Sequence, residues 1–296
     1  MTRPSEKLRA LLAQDRLYVM PCCWDALSAT MIEQAGFPLT FMSGFAVSAA
    51  RIGQPDAGLI SYGEIVDQGR NICAAVSMPV IGDGDTGYGN ALNVKRTVAG
   101  YAQAGFAAVM IEDQVAPKRC GHTRGKLVVD RDEALDRVKA AVDAREEGAD
   151  VLILARTDAR ATSGLDEAIW RAQRFAEIGA DILFVEAPET EDELATVTRE
   201  APGIHMANMV EGGTTPLLGP DRLHALGFRI AAYPLTLLSA AMRAVQETLA
   251  DFAEGRDPAP RLLPFADLRR IVGFDAYYEE ESRYASRDDG SAQAAE

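Results

Sequence analysis

The chain has 296 residues, of which 48% are hydrophobic, and a formal net charge of −14. The length suits one α/β barrel, and the negative charge disfavours partners such as nucleic acid or an anionic membrane surface. No apolar run reaches the roughly eighteen residues that a membrane-spanning helix needs, and the charged N-terminus has no signal-peptide core. Four irregularly spaced cysteines do not form a disulfide framework, so we expect a reducing, cytoplasmic location.

One unit recurs along the chain: a helical stretch, a glycine and a short apolar run. A glycine just past a helix is the expected left-handed cap. The glycine stops are EQAGF (33–37), AQAGF (102–106), REEGAD (145–150), AEIGAD (176–181) and HALGF (224–228).

The apolar runs predict eight strands. In chain order they are LYVMP (17–21), LTFMS (39–43), MPVIGD (78–83), AAVMIE (107–112), VLILAR (151–156), ILFVEA (182–187), GIHMAN (203–208) and RIAAY (229–233). Continuous rather than alternating apolar runs are typical of parallel strands buried on both faces. Eight such units favour a TIM-type (β/α)₈ barrel over an open doubly wound sheet, and no GxGxxG follows the first strand.

The C-terminal part carries an extra helical segment. After the helix of the eighth unit, residues 261–286 are rich in Phe, Tyr and Leu on a charged background. We expect this segment to pack on a neighbouring subunit, which predicts a homo-oligomer, either a dimer or a tetramer. Residues 1–286 then form one catalytic domain, and 287–296 form a disordered tail.

Polar residues follow the predicted strands at the rim where such barrels carry their chemistry. They are Trp24-Asp25, Ser43-Gly44, Asp83-Gly84-Asp85, Glu112-Asp113, Arg156-Thr157-Asp158, Glu186, and Asn208 with Glu211. Asp83, Asp85 and Glu112 are hard oxygen donors without histidine or thiolate, a set that suits Mg²⁺, or else Mn²⁺. GDGDTGYG alone would be interpreted as a solvated turn. Its place after an apolar strand, with Glu112 on the next strand, favours the metal site.

The loop after the fourth strand, EDQVAPKRCGHTRGK (112–126), combines a thiol with cations. Cys120 beside Lys118, Arg119, His122 and Arg124 suits proton transfer, and the length and glycines of the loop suit a lid. The alternative is a basic surface loop with an incidental cysteine. A cationic cluster next to an acidic metal site in an acidic protein favours recognition of a carboxylate.

The remaining candidates are one arginine, one histidine and three cysteines. Arg156 could pair with Asp158, but at this rim we favour a bidentate clamp on a substrate carboxylate. His205 lies inside the seventh strand and is interpreted as a core histidine. The other cysteines, Cys22, Cys23 and Cys73, are interpreted as small buried hydrophobes.

With these residues in place, the chain resembles the isocitrate lyase / phosphoenolpyruvate mutase superfamily over about residues 8–285. The most specific match is Lys118-Arg119-Cys120-Gly121-His122, which is similar to the KxCGH signature of the lyase branch. Because the carbon–phosphorus mutase branch lacks this motif, a phosphonate substrate is disfavoured. The supporting segments, in the right order, are SGFAVSAARIGQPDAGL (43–59), GDGDTGYG (82–89), IEDQ (111–114), LARTDA (154–159), VEAP (185–188) and ANMVEGG (207–213).

The resemblance implies a role for each matching residue. Asp83 and Asp85 would hold Mg²⁺ directly or through water, with Glu112 and Asp56 joining through water. Ser43, Gly44 and Phe45 would bind the α-keto acid carboxylate, and Arg156 would contact the oxygen on the carbon being cleaved. Glu186 and Asn208 would line the pocket. Cys120 would be the general acid, and Gly121 and His122 would help to bind a second carboxylate.

The implied reaction is Mg²⁺-dependent cleavage of a substituted malate, such as a 2,3-dimethylmalate-like or 2-methylisocitrate-like acid. The products would be an α-keto acid such as pyruvate and a carboxylate. Phe45 replaces the second glycine of methylisocitrate lyases, which points to the group containing dimethylmalate lyase and oxaloacetate hydrolase. Pro234 stands where the hydrolases carry a serine, so oxaloacetate hydrolysis is the second hypothesis. A phosphonate mutase or hydrolase and a non-enzymatic scaffold are the remaining alternatives.

Overall fold

Eight parallel strands close into one barrel in chain order, and the last strand pairs with the first. The computed structural model describes residues 2–120 and 125–284. Its strands are β1 (Tyr18–Cys23), β2 (Thr40–Met42), β3 (Val80–Asp83), β4 (Ala108–Glu112), β5 (Leu152–Thr157), β6 (Ile182–Val185), β7 (His205–Asn208) and β8 (Phe228–Tyr233). Each strand overlaps its predicted run, so the prediction of a TIM-type barrel is confirmed.

Helices follow the strands around the barrel. They are α1 (Pro4–Leu12), α2 (Ala26–Gln34), α3 (Gly44–Val47), α4 (Tyr62–Ala75), α5 (Ala91–Ala104), α6 (Arg131–Glu146), α7 (Ala159–Ser163), α8 (Leu165–Ile178), α9 (Glu191–Glu200), α10 (Pro220–Ala225), α11 (Thr236–Ala253), α12 (Phe265–Ile271) and α13 (Phe274–Ser282). A π-helical turn, Ser48–Ile52, extends α3, and a 3₁₀ turn, Ala259–Arg261, precedes α12. Within the described ranges, no helix is long and apolar enough to cross a membrane.

Local sequence signals set where several helices begin and end. The five predicted glycine stops all have positive φ angles, and Gly105 and Gly179 are the left-handed caps of α5 and α8. Asp25, which we had grouped with the rim residues, is the N-cap of α2 and accepts a hydrogen bond from Ser28 N at 2.7 Å. The structure thus gives Asp25 a structural role.

Apolar side chains fill two layers. Inside the barrel, residues such as Met20, Ile81 and Leu154 form one cluster, to which α1 adds Leu8 and Leu12. A second, larger cluster lies between the strands and the surrounding helices. Because both faces of the strands are covered, their apolar runs are continuous. Polar side chains are therefore left to the strand ends.

The chain divides into two compact units, Met1–Ala240 and Ala241–Glu296. The first contains the barrel. The second contains most of α11 together with α12 and α13. Within it, Asp251 forms ion pairs with Arg256 and Arg261. The expected helical character of the C-terminal segment is confirmed, whereas the tail 287–296 lies outside the described residues. That residues 1–286 form a single domain stays a prediction.

Candidate active site

The loop after β3 brings two aspartates to the rim. Asp85 N donates to Asp83 Oδ1 at 3.0 Å, which ties the side chain of Asp83 to the backbone of Asp85. Gly84 N donates to Met110 O and Glu112 N donates to Asp85 O, both at 2.9 Å, so the loop is bonded to β4. A Cβ on Gly84 would lie 2.6 Å from Met110 O, and glycine is therefore required there. This close approach brings Glu112 into the same cluster as the two aspartates.

The start of α3 lies directly against Asp83. Gly44 N donates to Asp83 Oδ2 at 3.2 Å, and a Cβ on Gly44 would lie only 2.4 Å from the same oxygen. Ser43 is the N-cap of α3, and its Oγ accepts a hydrogen bond from Ala46 N. The Ser43-Gly44 pair therefore serves the protein in two ways: it starts the helix and it fixes one oxygen of Asp83.

Strand register places Arg156 among three carboxylates. Glu112 on β4 lies opposite Arg156 on β5, and Arg156 Nε is 3.3 Å from Glu112 Oε2. The guanidinium also contacts both oxygens of Asp158, at 2.8 and 3.0 Å, and Glu186 Oε2 at 3.1 Å. The structure thus contains the Arg156–Asp158 pair that the sequence offered as the less favoured alternative. Arg156 nevertheless lines the cavity described below.

Lys118 occupies a place that the sequence did not assign to it. Its Nζ lies 2.6 Å from Asp56 Oδ1 and 2.8 Å from Asp85 Oδ1, and all three side chains are buried. The sequence placed Lys118 only in a cationic loop, because no local signal says where that loop returns to the rim. Lys126 was missed for the same reason: its Nζ binds Asp158 Oδ1 at 3.0 Å.

Burial and neighbouring charges act in opposite directions on these groups. Burial raises the pKa of Glu112 well above its ordinary value, although Arg156 opposes the shift. Burial also raises the pKa of Asp83, against the effect of Lys118. For Lys118, burial alone would lower the pKa, but Asp85, Asp83 and Asp56 raise it well above its ordinary value. The buried carboxyl groups therefore need further positive charge to stay fully ionised.

The donor chemistry of this cluster fits a hard divalent cation. Glu112 Oε1 is buried without a hydrogen-bond partner among the described residues. As these side chains stand, no three of His, Cys, Asp or Glu in the described ranges converge on a point that could hold a metal ion. Two of the four candidate ligands, Asp56 and Asp85, are held by Lys118 instead. The residues fit a metal in kind and in charge, and its binding would require Asp56 and Asp85 to share their oxygens between the ion and Lys118.

A cavity opens at the centre of this rim. Polar residues form one part of its wall, and the apolar side chains of the barrel interior form its floor. Its lining comprises Cys22, Phe41, Ser43, Phe45, Asp56, Asp83, Met110, Lys118, Arg119, Cys120, Arg156, Phe184, Glu186, Met206, Asn208, Val210, Ala232, Pro234 and Leu235. Gly44, Asp85 and Glu112 lie directly behind this wall, in contact with Asp83, Lys118 and Arg156 respectively.

The predicted substrate-binding residues are distributed as follows. Asn208 Nδ2 lies 3.3 and 3.4 Å from the two carboxylate oxygens of Glu186, and Ala187 N donates to Glu186 Oε1 at 3.0 Å. Cys120 is half-buried in the cavity wall. Gly121 and His122, predicted to bind a second carboxylate, lie outside the described residues.

The residues interpreted as structural lie in the core. Cys22 and Cys23 are buried, and burial raises the pKa of Cys23 to about 12. Cys73 is half-buried, and burial raises its pKa to about 12 as well. His205 is buried in β7, with Nε2 2.7 Å from Ala201 O. Cys22 is the exception in one respect, because it also lines the floor of the cavity.

The model of the phosphoenolpyruvate phosphomutase family matches residues 8–253, so the chain belongs to this family. It is 41% identical over 283 residues to 2,3-dimethylmalate lyase of Eubacterium barkeri, covering 95% of this chain and 98% of that protein. It is 42% identical over 291 residues to a chloroplastic carboxyvinyl-carboxyphosphonate phosphorylmutase of Arabidopsis thaliana, covering 96% and 86%. Identity to the 2-methylisocitrate lyase of Aeropyrum pernix is 35% over 290 residues, covering 97% and 93%.

Solved structures agree with this assignment. A 2,3-dimethylmalate lyase, described as a PEP mutase/isocitrate lyase superfamily member, has a TM-score of 0.91 at 34% identity, covering 98% of each chain. An oxaloacetate acetylhydrolase bound to 3,3-difluorooxalacetate has a TM-score of 0.90 at 35% identity, covering 95% and 96%. A phosphonopyruvate hydrolase complex with oxalate and Mg²⁺ has a TM-score of 0.83 at 31% identity, covering 96% and 99%. The chain is an enzyme of this lyase and mutase superfamily.

Proposed function

We propose that this enzyme is a Mg²⁺-dependent carbon–carbon lyase acting on a substituted malate, a 2-hydroxy acid of the 2,3-dimethylmalate or 2-methylisocitrate type. The products are an α-keto acid such as pyruvate and a second carboxylate. The observation that carries the proposal is one cavity with two unlike walls. Asp83, with Glu112 and Asp85 behind it, supplies hard oxygen donors, and Cys120 with Lys118 and Arg156 supplies a thiol beside buried cations.

The residues proposed to bind Mg²⁺ are Asp83, Asp85, Glu112 and Asp56. Mn²⁺ would suit the same oxygen ligands. Their oxygen chemistry and the unpartnered Glu112 Oε1 support this assignment. When bound there, Mg²⁺ would supply Lewis-acid polarisation of the hydroxyl and carboxylate oxygens of the substrate. Lys118 adds positive charge to the same cluster, which favours the ionised form of Asp83.

Binding of the substrate carboxylate is assigned to the start of α3. Ser43 and Phe45 line the cavity, and we assign the Ser43 hydroxyl and the Phe45 N–H as donors to the substrate carboxylate. The Gly44 N–H already donates to Asp83, so Gly44 acts mainly by fixing that carboxylate. Glu186, Asn208 and Phe45 then limit the space around the substituents of the substrate.

Cleavage breaks the C2–C3 bond of the 2-hydroxy acid. The hydroxyl proton passes to a base, the O–H electron pair forms the C=O bond at C2, and the electron pair of the broken C2–C3 bond goes to C3 as a carboxylate enolate. The Arg156 guanidinium, which lines the cavity beside Glu112, stabilises the negative charge that develops on the C2 oxygen. The Cys120 thiol then protonates C3 of the leaving carboxylate enolate. Pro234, in the cavity wall, offers no hydroxyl group to this reaction.

The test is a substrate screen with coupled detection of products. Purified enzyme is assayed with 2-alkylmalates, 2-methylisocitrate, isocitrate and oxaloacetate, and both pyruvate and oxalate are measured. We expect pyruvate release from at least one 2-alkylated acid, loss of this activity in EDTA, and recovery with Mg²⁺. Oxalate release from oxaloacetate without pyruvate formation from any hydroxy acid would instead establish the hydrolase alternative. Turnover of phosphonopyruvate, followed by phosphorus NMR, would establish a mutase or hydrolase of phosphonates.

Three further assignments belong to this proposal. The substrate is a small carboxylic acid, and no nucleic acid or membrane partner is expected. The enzyme is cytoplasmic. It is a homo-oligomer, a dimer or tetramer, because the second unit exposes Phe252, Phe265 and Tyr284 at 63%, 74% and 75% of their surface.

A further inference from the structure

Gln114 holds the backbone of the residue that precedes Cys120. Its side chain is only 1% exposed. Its Nε2 donates to Arg119 O at 2.8 Å, and its Oε1 accepts from Arg119 N at 3.0 Å. One amide group therefore satisfies both polar backbone groups of Arg119, as the facing residue of a β-ladder would.

Gln114 is itself held firmly by the barrel. Its carbonyl oxygen accepts a hydrogen bond from Arg137 Nη1 at 2.7 Å, and Gln114 forms an antiparallel bridge with Val128. The preceding residue, Asp113, accepts hydrogen bonds from Thr157 Oγ1 at 2.6 Å and from Arg171 Nη1 at 2.9 Å. The amide that holds Arg119 therefore belongs to a residue that lies just after β4 and is itself bonded to the barrel and to the strand-like segment at Val128.

Two consecutive residues just before Cys120 are thus held by different contacts. Lys118 is held through its side chain by Asp56 and Asp85, and Arg119 through its backbone by Gln114. Cys120 follows in the cavity wall. Because consecutive Cα atoms are about 3.8 Å apart, fixing the backbone of Arg119 confines the Cα of Cys120 to a short arc.

We propose that Gln114 is a positioning residue for Cys120, and that its paired hydrogen bonds to Arg119 keep the thiol at the cavity wall. The catalytic part of this inference rests on the proposed function, in which Cys120 donates a proton. The structural part does not, since it concerns only where the thiol lies. A neutral amide is needed because it offers one donor and one acceptor: a carboxylate would repel Arg119 O, and an apolar side chain would offer neither bond.

Two variants separate the contributions of the donor and the acceptor of the Gln114 amide. Gln114→Met keeps the length of the side chain and removes both hydrogen bonds, while Gln114→Glu keeps only the acceptor. The matched control is Gln173→Met, which also removes a side-chain bond to a backbone oxygen, from Gln173 Nε2 to Glu200 O at 2.9 Å. Gln173 lies on α8 and is not among the residues that line the cavity.

The first measurement is the rate at which iodoacetamide alkylates Cys120, with the modified site identified by peptide mass mapping. We expect alkylation about fivefold faster in Gln114→Met. The two lost hydrogen bonds stabilise the closed backbone by a modest net free energy, and their loss makes local opening more frequent by about that factor. Gln114→Glu should also react faster than wild type, and Gln173→Met should react at the wild-type rate. Wild-type alkylation rates in both folded Gln114 variants would overturn the proposal.

The second measurement divides the kinetic effect between kcat and KM. We expect kcat of Gln114→Met to fall about tenfold, with KM nearly unchanged, since a proton donor is displaced while the substrate contacts remain. A change in KM alone would also overturn the positioning role. If wild-type enzyme turns over none of the acids, the proposed function fails, and alkylation still decides the role of Gln114. If Gln114→Met does not fold, Gln114→Glu carries both measurements.

Discussion

The rim of the barrel and the C-terminal unit depart from ordinary protein surfaces in opposite ways. At the rim, charged side chains such as Glu112 and Arg156 are buried, at 2% and 8% exposure. In the C-terminal unit, apolar side chains such as Leu249 and Phe252 are exposed, at 59% and 63%. Burying charge and exposing large apolar groups both cost free energy, so each arrangement indicates a missing partner.

The two regions differ in the partner that they need. The charge of the buried carboxylates is balanced only in part by Lys118, Lys126 and Arg156. The remaining negative charge would be balanced by a small cation, which could in turn bind a substrate. The apolar side chains of the second unit call for another apolar surface of comparable size. The comparison therefore predicts that substitutions at the rim change chemistry and stability, while substitutions on the second unit change assembly.

The largest effect is expected at Cys120. Cys120→Ala should lower kcat by about 10²- to 10⁴-fold, the usual contribution of a positioned general acid. The thermal transition should stay close to that of wild type, because the thiol is only half-buried. Steady-state kinetics and a melting curve measure both quantities. Cys73→Ala, a half-buried thiol on α4 outside the cavity lining, is the control; equal activity of the two variants would refute the acid assignment.

The next effect concerns the buried ion network. Arg156→Met leaves Glu112, Asp158 and Glu186 without the cation that contacts all three, and we expect the free energy of unfolding to fall by about 3–5 kcal/mol. Chemical denaturation measures this loss. In the second unit, Arg243→Met removes an exposed pair with Glu247 and should cost less than about 1 kcal/mol. Similar losses in the two variants would show that burial does not distinguish these regions.

A charge on the exposed apolar face should change assembly. Phe252→Asp is expected to shift the sedimentation profile toward smaller species, since a buried aromatic at an interface commonly contributes about 2–4 kcal/mol. Gln246→Asp introduces the same charge at an exposed polar position of α11 and is the control. If wild type and Phe252→Asp sediment alike, Phe252 does not contribute to an interface between subunits.

The smallest effect is expected at His205, a buried imidazole on β7 whose pKa is shifted mainly by burial. Burial lowers the pKa of His205 below 6.5, against its hydrogen bond to Ala201 O, so the folded state disfavours the charged imidazole. Below pH 6.5 the unfolded chain binds a proton that the folded chain does not. The free energy of unfolding should therefore fall as the pH drops below 6.5, by at most about 1.4 kcal/mol per pH unit.

Denaturant titrations across this pH range test the His205 effect. His205→Gln retains a donor for Ala201 O and removes the titration, so its stability should depend less on pH than that of wild type. His224→Gln is the control, because His224 is partly exposed and pairs with Asp15. Equal pH dependence in wild type and His205→Gln would exclude His205 as the cause.

Much of the fold could be predicted from short stretches of contiguous residues. Apolar runs such as VLILAR predicted β5, and glycines such as Gly105 predicted helix ends, because burial on both faces and a left-handed cap each require a particular local composition. The order of the strands follows from eight repeated units, since neighbouring parallel strands connect through one helix. The same logic predicted Asp83, Glu112 and Arg156 on one rim; in the structure Asp83 and Arg156 line one cavity, and Arg156 contacts Glu112.

What the tertiary structure alone decided is which of these polar groups meet. Nothing near Lys118 in the sequence indicates Asp56 as its partner, and nothing near Gln114 indicates that its amide holds Arg119. Asp25 follows β1, as predicted, but only the turn into α2 shows that its carboxylate caps a helix. Local composition determines what each segment becomes, because propensity and periodicity act over a few residues. The contacts between loops depend on where the closed barrel returns them, and that is set by the packing of the whole chain.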